Sequence, residues 1–314
     1  MPGVRIGHAT DAVGGTGVTV VLAEDGAIAG AHVAGFASGT RQVDSLEPTH
    51  LVPTVHAIVL AGGSGFGLDA SQGAAAYLEE RGRGFPVGRR VVPIVPTAVL
   101  FDLNVGDARA VPTPAMARAA CETARADRVA VGCVGAGTGA TCGKLLGVAC
   151  ATKGGLGIAT GTLPDGTALL ALAVVNPYGD VVDPLSGRPI AGTRRAPRSR
   201  ALAGSTRLIR DPKRIQRASF QNTTLVVVAT DARLDKLGAS RLARMAASGM
   251  LRALGPAPTL YDGDVVFALS TGERAADPNA LGACAADLVS EAIVDAARTA
   301  TPMFGLPAAR DLRP

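Results

Sequence analysis

Apolar positions fall in short alternating runs near the start of the chain and at helical spacing near its end. The runs Val4–Gly7, Gly17–Ala23 and Ala27–Val33 predict strands separated by turns. "HAIVLAGGSGFGLDASQGAAAYLEER" predicts a strand, a glycine turn and a helix from about Leu68 to Arg81. "RVVPIVPTAVLFDL" predicts a strand pair whose prolines favour edge or bent positions. A helix is expected at Pro114–Arg125, followed by a glycine-dense stretch, Val131–Gly147. "LGIATGTL" and "ALLALAVVNPYGDVVDP" then predict a meander of strands. Leu225–Ala229, apolar with a β-branched core, predicts a buried strand. A helix over Lys236–Leu254, a strand over Val265–Ser270 and a helix over Ala280–Thr299 complete the series. In the last helix Leu281, Cys284, Leu288, Val289 and Ala292 keep helical spacing, so one face packs inward. Strands at both ends with helices between them predict a mixed α/β layered fold. The 92 residues from Thr223 onward hold only two clear strands, so they are expected to belong to the same single domain.

Composition narrows this picture. The chain of 314 residues is 47% hydrophobic and 18% charged, with no Trp, three Tyr and seven Phe. Its core is therefore expected to be Val, Leu, Ile and Ala. No basic region followed by an apolar run opens the sequence, and no apolar stretch reaches the ~18 residues of a membrane helix. A cytoplasmic protein without a membrane partner is expected. Five cysteines, an odd number without CxxC spacing, predict reduced thiols and no zinc. The segment Leu185–Phe220 carries ten Arg or Lys against one Asp; it holds +9 of a total of +5, which leaves the rest at −4. One segment sets the basic balance, so no nucleic-acid partner is expected. Its length and its Pro, Arg, Ser and Gly predict a flexible, solvated loop.

Several lookalike motifs fail on single residues. "GATCGKL" has Thr138 where a Walker A loop needs its first Gly, and Leu145 where it needs Ser or Thr. "GGSGFG" has Phe66 where a nucleophile elbow needs Gly. His8, His32, His50 and His56 form no HExxH pattern and are expected to be structural or surface residues. No metal or cofactor is expected.

The remaining candidate is "QNTTLVVVATDARL", where an Asn-Thr-Thr triplet meets the buried strand. A threonine hydroxyl needs a base to become a nucleophile. At the N-terminus of a polypeptide its own α-amino group, with a pKa of about 8, serves as that base. A folded protein creates such a terminus by cutting itself: the hydroxyl attacks the preceding carbonyl, and water opens the resulting ester. Asn222-Thr223 suits this chemistry, although Asn ending a turn and Thr starting a strand is also ordinary sequence.

"LAGGSGFGLDA", "VVPIVPTAVLFDL", "AVVNPYGDVVD" and "DGDVVFALSTG", together with the triplet segment, change the balance. In this order they resemble the L-aminopeptidase/D-esterase family, which also holds β-aminopeptidases and nylon-oligomer hydrolases. The likeness runs from about Gly3 to Ile293. It implies a four-layer α/β/β/α sandwich resembling N-terminal-nucleophile hydrolases, cut into two pieces, 1–222 and 223–314, that stay together. It also implies further assembly into a homo-oligomer, often a tetramer of processed heterodimers.

Carried onto this sequence, the resemblance makes Thr223 the nucleophile and Asn222–Thr223 the cleaved bond. Asn176 in "VVNPYGD" becomes an oxyanion donor, and Asp262 and Asp264 in "YDGDVVF" orient the nucleophile. Lys144 matches a lysine of the nylon-oligomer enzymes, where the aminopeptidases use a tyrosine. Gly63, Ser64 and Gly65 are expected to line the substrate pocket with backbone. Read without the family, Asn176 is a turn residue before Pro177, Lys144 a solvated loop lysine, and Asp262-Gly263-Asp264 a β-turn. The expected activity is hydrolysis of short peptides, amides or esters, including ω-amino acid oligomers, through an acyl-enzyme. A self-processing acyltransferase and a catalytically silent binding protein of the same fold are the alternatives.

Overall fold

The computed structural model describes residues 1–211, 213–215 and 222–313. Among them, nine strands share one hydrogen-bonded network. They are β1 (Arg5–Asp11), β2 (Thr16–Val33), β3 (Gly39–Arg41), β4 (Val55–Ala61), β5 (Thr97–Val99), β6 (Gly155–Thr162), β7 (Ala168–Asn176), β8 (Thr223–Ala232) and β9 (Val265–Arg274). The spatial order is β6-β7-β8-β9-β2-β4-β5-β3, with β1 also paired to β2. Pairs β8–β9 and β4–β5 are parallel, and the other pairs are antiparallel. Four helices of two or more turns cover this network: α1 (Ser71–Glu79), α2 (Pro114–Glu122), α3 (Lys236–Ala253) and α4 (Pro278–Thr299).

Successive strand residues point to opposite faces, and this sorts the apolar side chains into three cores. Ala171, Ala173, Val226, Val228, Val266 and Ala268 pack under α3 and α4. Leu172, Val174, Leu225, Val227, Val265 and Phe267 face the other way and meet Val21, Ile58 and Leu60 of the opposing sheet. Val18, Val20, Leu22, Ala57 and Val59 pack outward against Ala74, Leu78, Ala117 and Cys121 of α1 and α2. Three cores separate four layers, and the architecture is the expected α/β/β/α sandwich.

Three sequence expectations need correction. The predicted strands Gly17–Ala23 and Ala27–Val33 are one strand, β2. "AEDG" reads as a turn, but the backbone only bends there, with Gly26 at φ 90°. The first half of β2 pairs with β1 and β4 and the second half with β9, so a single strand links both sheets. The helix expected from Leu68 starts at Ser71, because 64–70 winds as a 3₁₀ turn.

The third correction concerns the basic segment. From 185 to 211 it is built into the fold and is not a free loop. The buried Arg194 guanidinium donates to Ala149 O at 2.7 Å, Ala151 O at 3.1 Å, Ser199 O at 3.2 Å and also Pro197 O. Asp180 accepts from Thr193 N at 2.8 Å and Ser205 N at 2.6 Å. Here an arginine satisfies carbonyls that would otherwise be orphaned, so its charge does not signal solvation. Residues 216–221 of that expectation lie outside the described residues. All five cysteines are free thiols, and no helix among the described residues is long and apolar enough to cross a membrane.

Candidate active site

β8 begins at Thr223, between antiparallel β7 and parallel β9, with Thr223 opposite Asn176. Thr223 shares its strand face with Leu225 and Val227, and Asn176 shares one with Leu172 and Val174. Both side chains therefore look into the space between the two sheets. The ladder continues one step before the strand, where Asn222 bridges to Asp262. There Gly263 N donates to Asn222 O at 2.8 Å. Thr223 Oγ1 donates to the same oxygen at 2.5 Å. The Asn222 carbonyl thus accepts from a fixed backbone amide and from the hydroxyl of the next residue. Asn222 and Thr223 are both buried.

Lys144 lies across from this junction and is buried, contrary to the solvated-loop reading. Its Nζ donates to Thr141 O at 2.7 Å, Asn176 Oδ1 at 2.8 Å and Asn176 O at 3.1 Å, and lies 3.1 Å from Thr141 Oγ1. Burial pushes the Lys144 ammonium down to about 7, with the nearby Cys142 and Asp262 opposing that shift. Asn176 Oδ1 also accepts from Thr141 N at 2.9 Å. These donors fix the oxygen end of the Asn176 amide, so its nitrogen is the donor end, and it donates to Phe101 O at 3.1 Å. The hydrogen-bond partners of the buried lysine are carbonyl and hydroxyl oxygens, not carboxylates.

The two aspartates flank the junction on different sides. Asp264 Oδ1 accepts from Thr224 N at 2.6 Å, on the residue after the nucleophile candidate. Asp262 accepts from Tyr178 N at 3.0 Å, Thr259 N at 3.0 Å and Thr259 Oγ1 at 2.6 Å. The Asp264 carboxyl thus holds the backbone next to Thr223, whose hydroxyl is turned to the Asn222 carbonyl, while the Asp262 carboxyl ties its own turn to Tyr178. Burial raises the Asp264 carboxyl well above its ordinary value, and the neighbouring Asp262 adds to this. Asp262 is also raised by burial, while its three donors and Lys144 oppose the shift. Of the pair, Asp264 is the one pushed further up.

The glycine loop is joined to this group through Leu100, Phe101 and Asp102. Ser64 N donates to Leu100 O at 2.9 Å and Gly63 N to Asp102 Oδ1 at 2.7 Å, while Phe101 O receives Asn176. Asp102 also accepts from Thr16 Oγ1 at 2.7 Å, and its burial pushes the carboxyl up to about 6. Gly63 at φ 76° and Ser64 at φ 53° form the sharp turn into α1. Gly65 has open space where a side chain would project. The structure therefore brings Thr223, Asn222, Asn176, Lys144, Asp262 and Asp264 into one network. Gly63, Ser64 and Gly65 sit one residue link away.

Sequence reasoning missed Thr141, Phe101, Asp102 and the amide of Gly263. Phe101 and Gly263 act through backbone atoms, which any residue supplies, and Thr141 acts through its backbone amide and carbonyl as well as its hydroxyl. Asp102 carried a signal only in being a charged residue directly after an apolar strand. Two histidines behave as structural residues: His8 Nδ1 lies 3.0 Å from Thr19 Oγ1, and buried His56 Nδ1 accepts from Ile94 N at 3.2 Å.

The chain matches the model of peptidase family S58 over residues 1–310. An uncharacterised aminopeptidase of Mycobacterium tuberculosis is 40% identical, with 99% of this chain and 96% of that protein covered. A 6-aminohexanoate-oligomer endohydrolase of Paenarthrobacter ureafaciens is 30% identical, over 95% of this chain and 84% of that protein. Among solved structures, an L-aminopeptidase D-Ala-esterase/amidase of Ochrobactrum anthropi, described as a variant of the Ntn hydrolase fold, superposes with a TM-score of 0.74. It is 21% identical, with 98% of this chain and 89% of that one covered. A Burkholderia β-aminopeptidase gives a TM-score of 0.70 at 21% identity, over 98% and 89%. These two share the sandwich architecture. With the family model and the 40% identical relative both spanning nearly its whole length, the chain belongs to peptidase family S58.

Proposed function

We propose that this protein is a self-processing amide hydrolase that cuts its own Asn222–Thr223 bond and then works through an acyl-enzyme on Thr223. The observation that carries this is the Thr223 hydroxyl held on the Asn222 carbonyl, which the Gly263 amide also polarises. Attack by Oγ1 on the Asn222 carbon closes a five-membered ring through Cβ, Cα and N. Expulsion of the Thr223 nitrogen, which takes up the hydroxyl proton, leaves a free amine and an ester, and water hydrolyses the ester to an Asn222 carboxylate and the Thr223 hydroxyl. Negative charge that develops on the carbonyl oxygen during attack is met by the Gly263 N–H, a donor already in place.

The same Thr223 hydroxyl then attacks a substrate amide. The Thr223 amine takes the hydroxyl proton and later delivers it to the leaving amine. The amide nitrogen of Asn176 donates to the substrate oxyanion, with the Asn176 oxygen anchored by Lys144 and Thr141. Lys144 as ammonium keeps the Thr223 amine neutral through its positive potential. Asp262 and Asp264 hold the strand mouth by the backbone contacts described above. The glycine loop, tied to Asn176 through Phe101 and Asp102, lines the acyl pocket with backbone. Short peptides and amides, including ω-amino acid oligomers, are the substrate class, which the aminopeptidase and 6-aminohexanoate-oligomer relatives support.

Thr223→Ala is expected to give one uncut polypeptide without amide hydrolysis, because both steps lose their nucleophile. Thr223→Ser is expected to cut, because it keeps a hydroxyl. Gel analysis together with an aminoacyl-anilide assay checks both. A cut or hydrolytically active Thr223→Ala protein would remove Thr223 from the mechanism.

A further inference from the structure

The basic segment holds a feature that amide hydrolysis does not use. A cavity of about 490 Å³ is lined by Arg188, Arg195, Arg207 and Arg313. Among the described residues no Asp or Glu lines it, and none of these four guanidiniums is in an ion pair. Other arginines of the molecule meet carboxylates in salt bridges, whereas here four without one line a single cavity.

The four arginines come from separate segments, each with its backbone fixed. Arg188 closes a turn in which Asp183 N donates to Arg188 O at 2.9 Å. Arg195 N donates to Ala201 O at 3.0 Å, and its Nε points to Leu202 O at 3.3 Å. Arg207 lies in the helical turn Ser205–Leu208, which Asp180 anchors through Ser205 N at 2.6 Å. Arg313 N donates to Arg200 O at 3.0 Å. Four like charges lining one concavity repel one another, and a bound anion relieves that repulsion. Each guanidinium presents a planar fork of donors that matches paired phosphate oxygens. The volume is that of a small-molecule pocket, whereas a nucleic-acid footprint is an extended basic face or stripe.

We propose that this cavity binds a compact phosphate-bearing polyanion, an oligophosphate either free or as the tail of a nucleotide. Tetrahedral phosphates in series present oxygens in all directions, which suits four arginines placed around one cavity. A polycarboxylate of equal charge presents only flat pairs.

The test is calorimetric titration of the full-length protein with tripolyphosphate, ATP, adenosine and citrate at constant ionic strength near 0.15 M. Saturable binding of tripolyphosphate and ATP, without adenosine, is expected. Tripolyphosphate bound as tightly as ATP means that the free oligophosphate suffices; ATP bound more tightly identifies the nucleotide as the source. Arg188→Gln with Arg207→Gln is expected to weaken either ligand about ten-fold or more, the usual effect of losing hydrogen bonds to a charged group. These side chains are exposed, and circular dichroism verifies that the variant is folded. No saturable binding by the wild-type protein would overturn the proposal. So would citrate binding equal to tripolyphosphate, affinity unchanged in the double variant, or tighter, salt-steep binding of a DNA duplex.

Discussion

Asn176 has its oxygen held by Thr141 N at 2.9 Å and Lys144 Nζ at 2.8 Å, so the amide cannot turn over without breaking both. If its nitrogen serves the oxyanion, Asn176→Ala lowers kcat by about 10²–10³, the usual loss for one such donor. Turnover within a few-fold of the wild type, in fully cut protein, assigns the oxyanion to another group. Lys144 makes a different prediction. Its pKa of about 7 leaves it charged on the acid side of neutrality. A positive neighbour lowers the pKa of an amine, so removing it raises the pKa of the Thr223 amine. Lys144→Met therefore moves the acid limb of the kcat/KM–pH profile to higher pH; an unmoved limb contradicts this role. At this scale the sequence reveals the side chains and not their partners. Thr223, Asn176, Lys144 and both aspartates are picked out by the family resemblance; by residue type alone they read as a strand start, a turn residue, a loop lysine and a β-turn. Gly263 and Phe101 contribute a backbone amide and a backbone carbonyl, which leave no mark on residue identity. Lys144 reads as a loop lysine because nothing local reveals that oxygens from β7 and Thr141 converge on it.

The elements that carry the site are held by close backbone approaches. A Cβ on Gly30 of β2 would come within 2.2 Å of Ser240 N, so α3 lies directly on that strand. Gly30→Ala must push α3 outward, and overpacking of this kind costs about 1–3 kcal/mol. A urea midpoint equal to the wild type would mean that the helix moves freely there. Element type is largely readable from periodicity, since β8, β9, α3 and α4 have strong apolar patterns. Two failures share a cause. "AEDG" in β2 and Arg194 are read from polarity, yet in both places backbone hydrogen bonds decide the conformation. β2 stays paired on either side of its bend, and Arg194 spends its donors on backbone carbonyls.

Across the whole molecule, the proposed cut separates sequence without separating structure. β8 and β9 follow the junction, yet they lie in the middle of the sheet between β7 and β2. Each half of the protein therefore supplies strands that the other half flanks, and the core under α3 and α4 draws on both. The pieces 1–222 and 223–314 are expected to stay together after cutting, although no disulfide joins them among the described residues. Intact-mass spectrometry of the purified wild-type protein under denaturing conditions tests the central claim most directly. The account predicts two masses, those of residues 1–222 and of 223–314 with Thr223 at its N-terminus. A single full-length mass after prolonged incubation, or a pair of masses that places the break at any other bond, would contradict it.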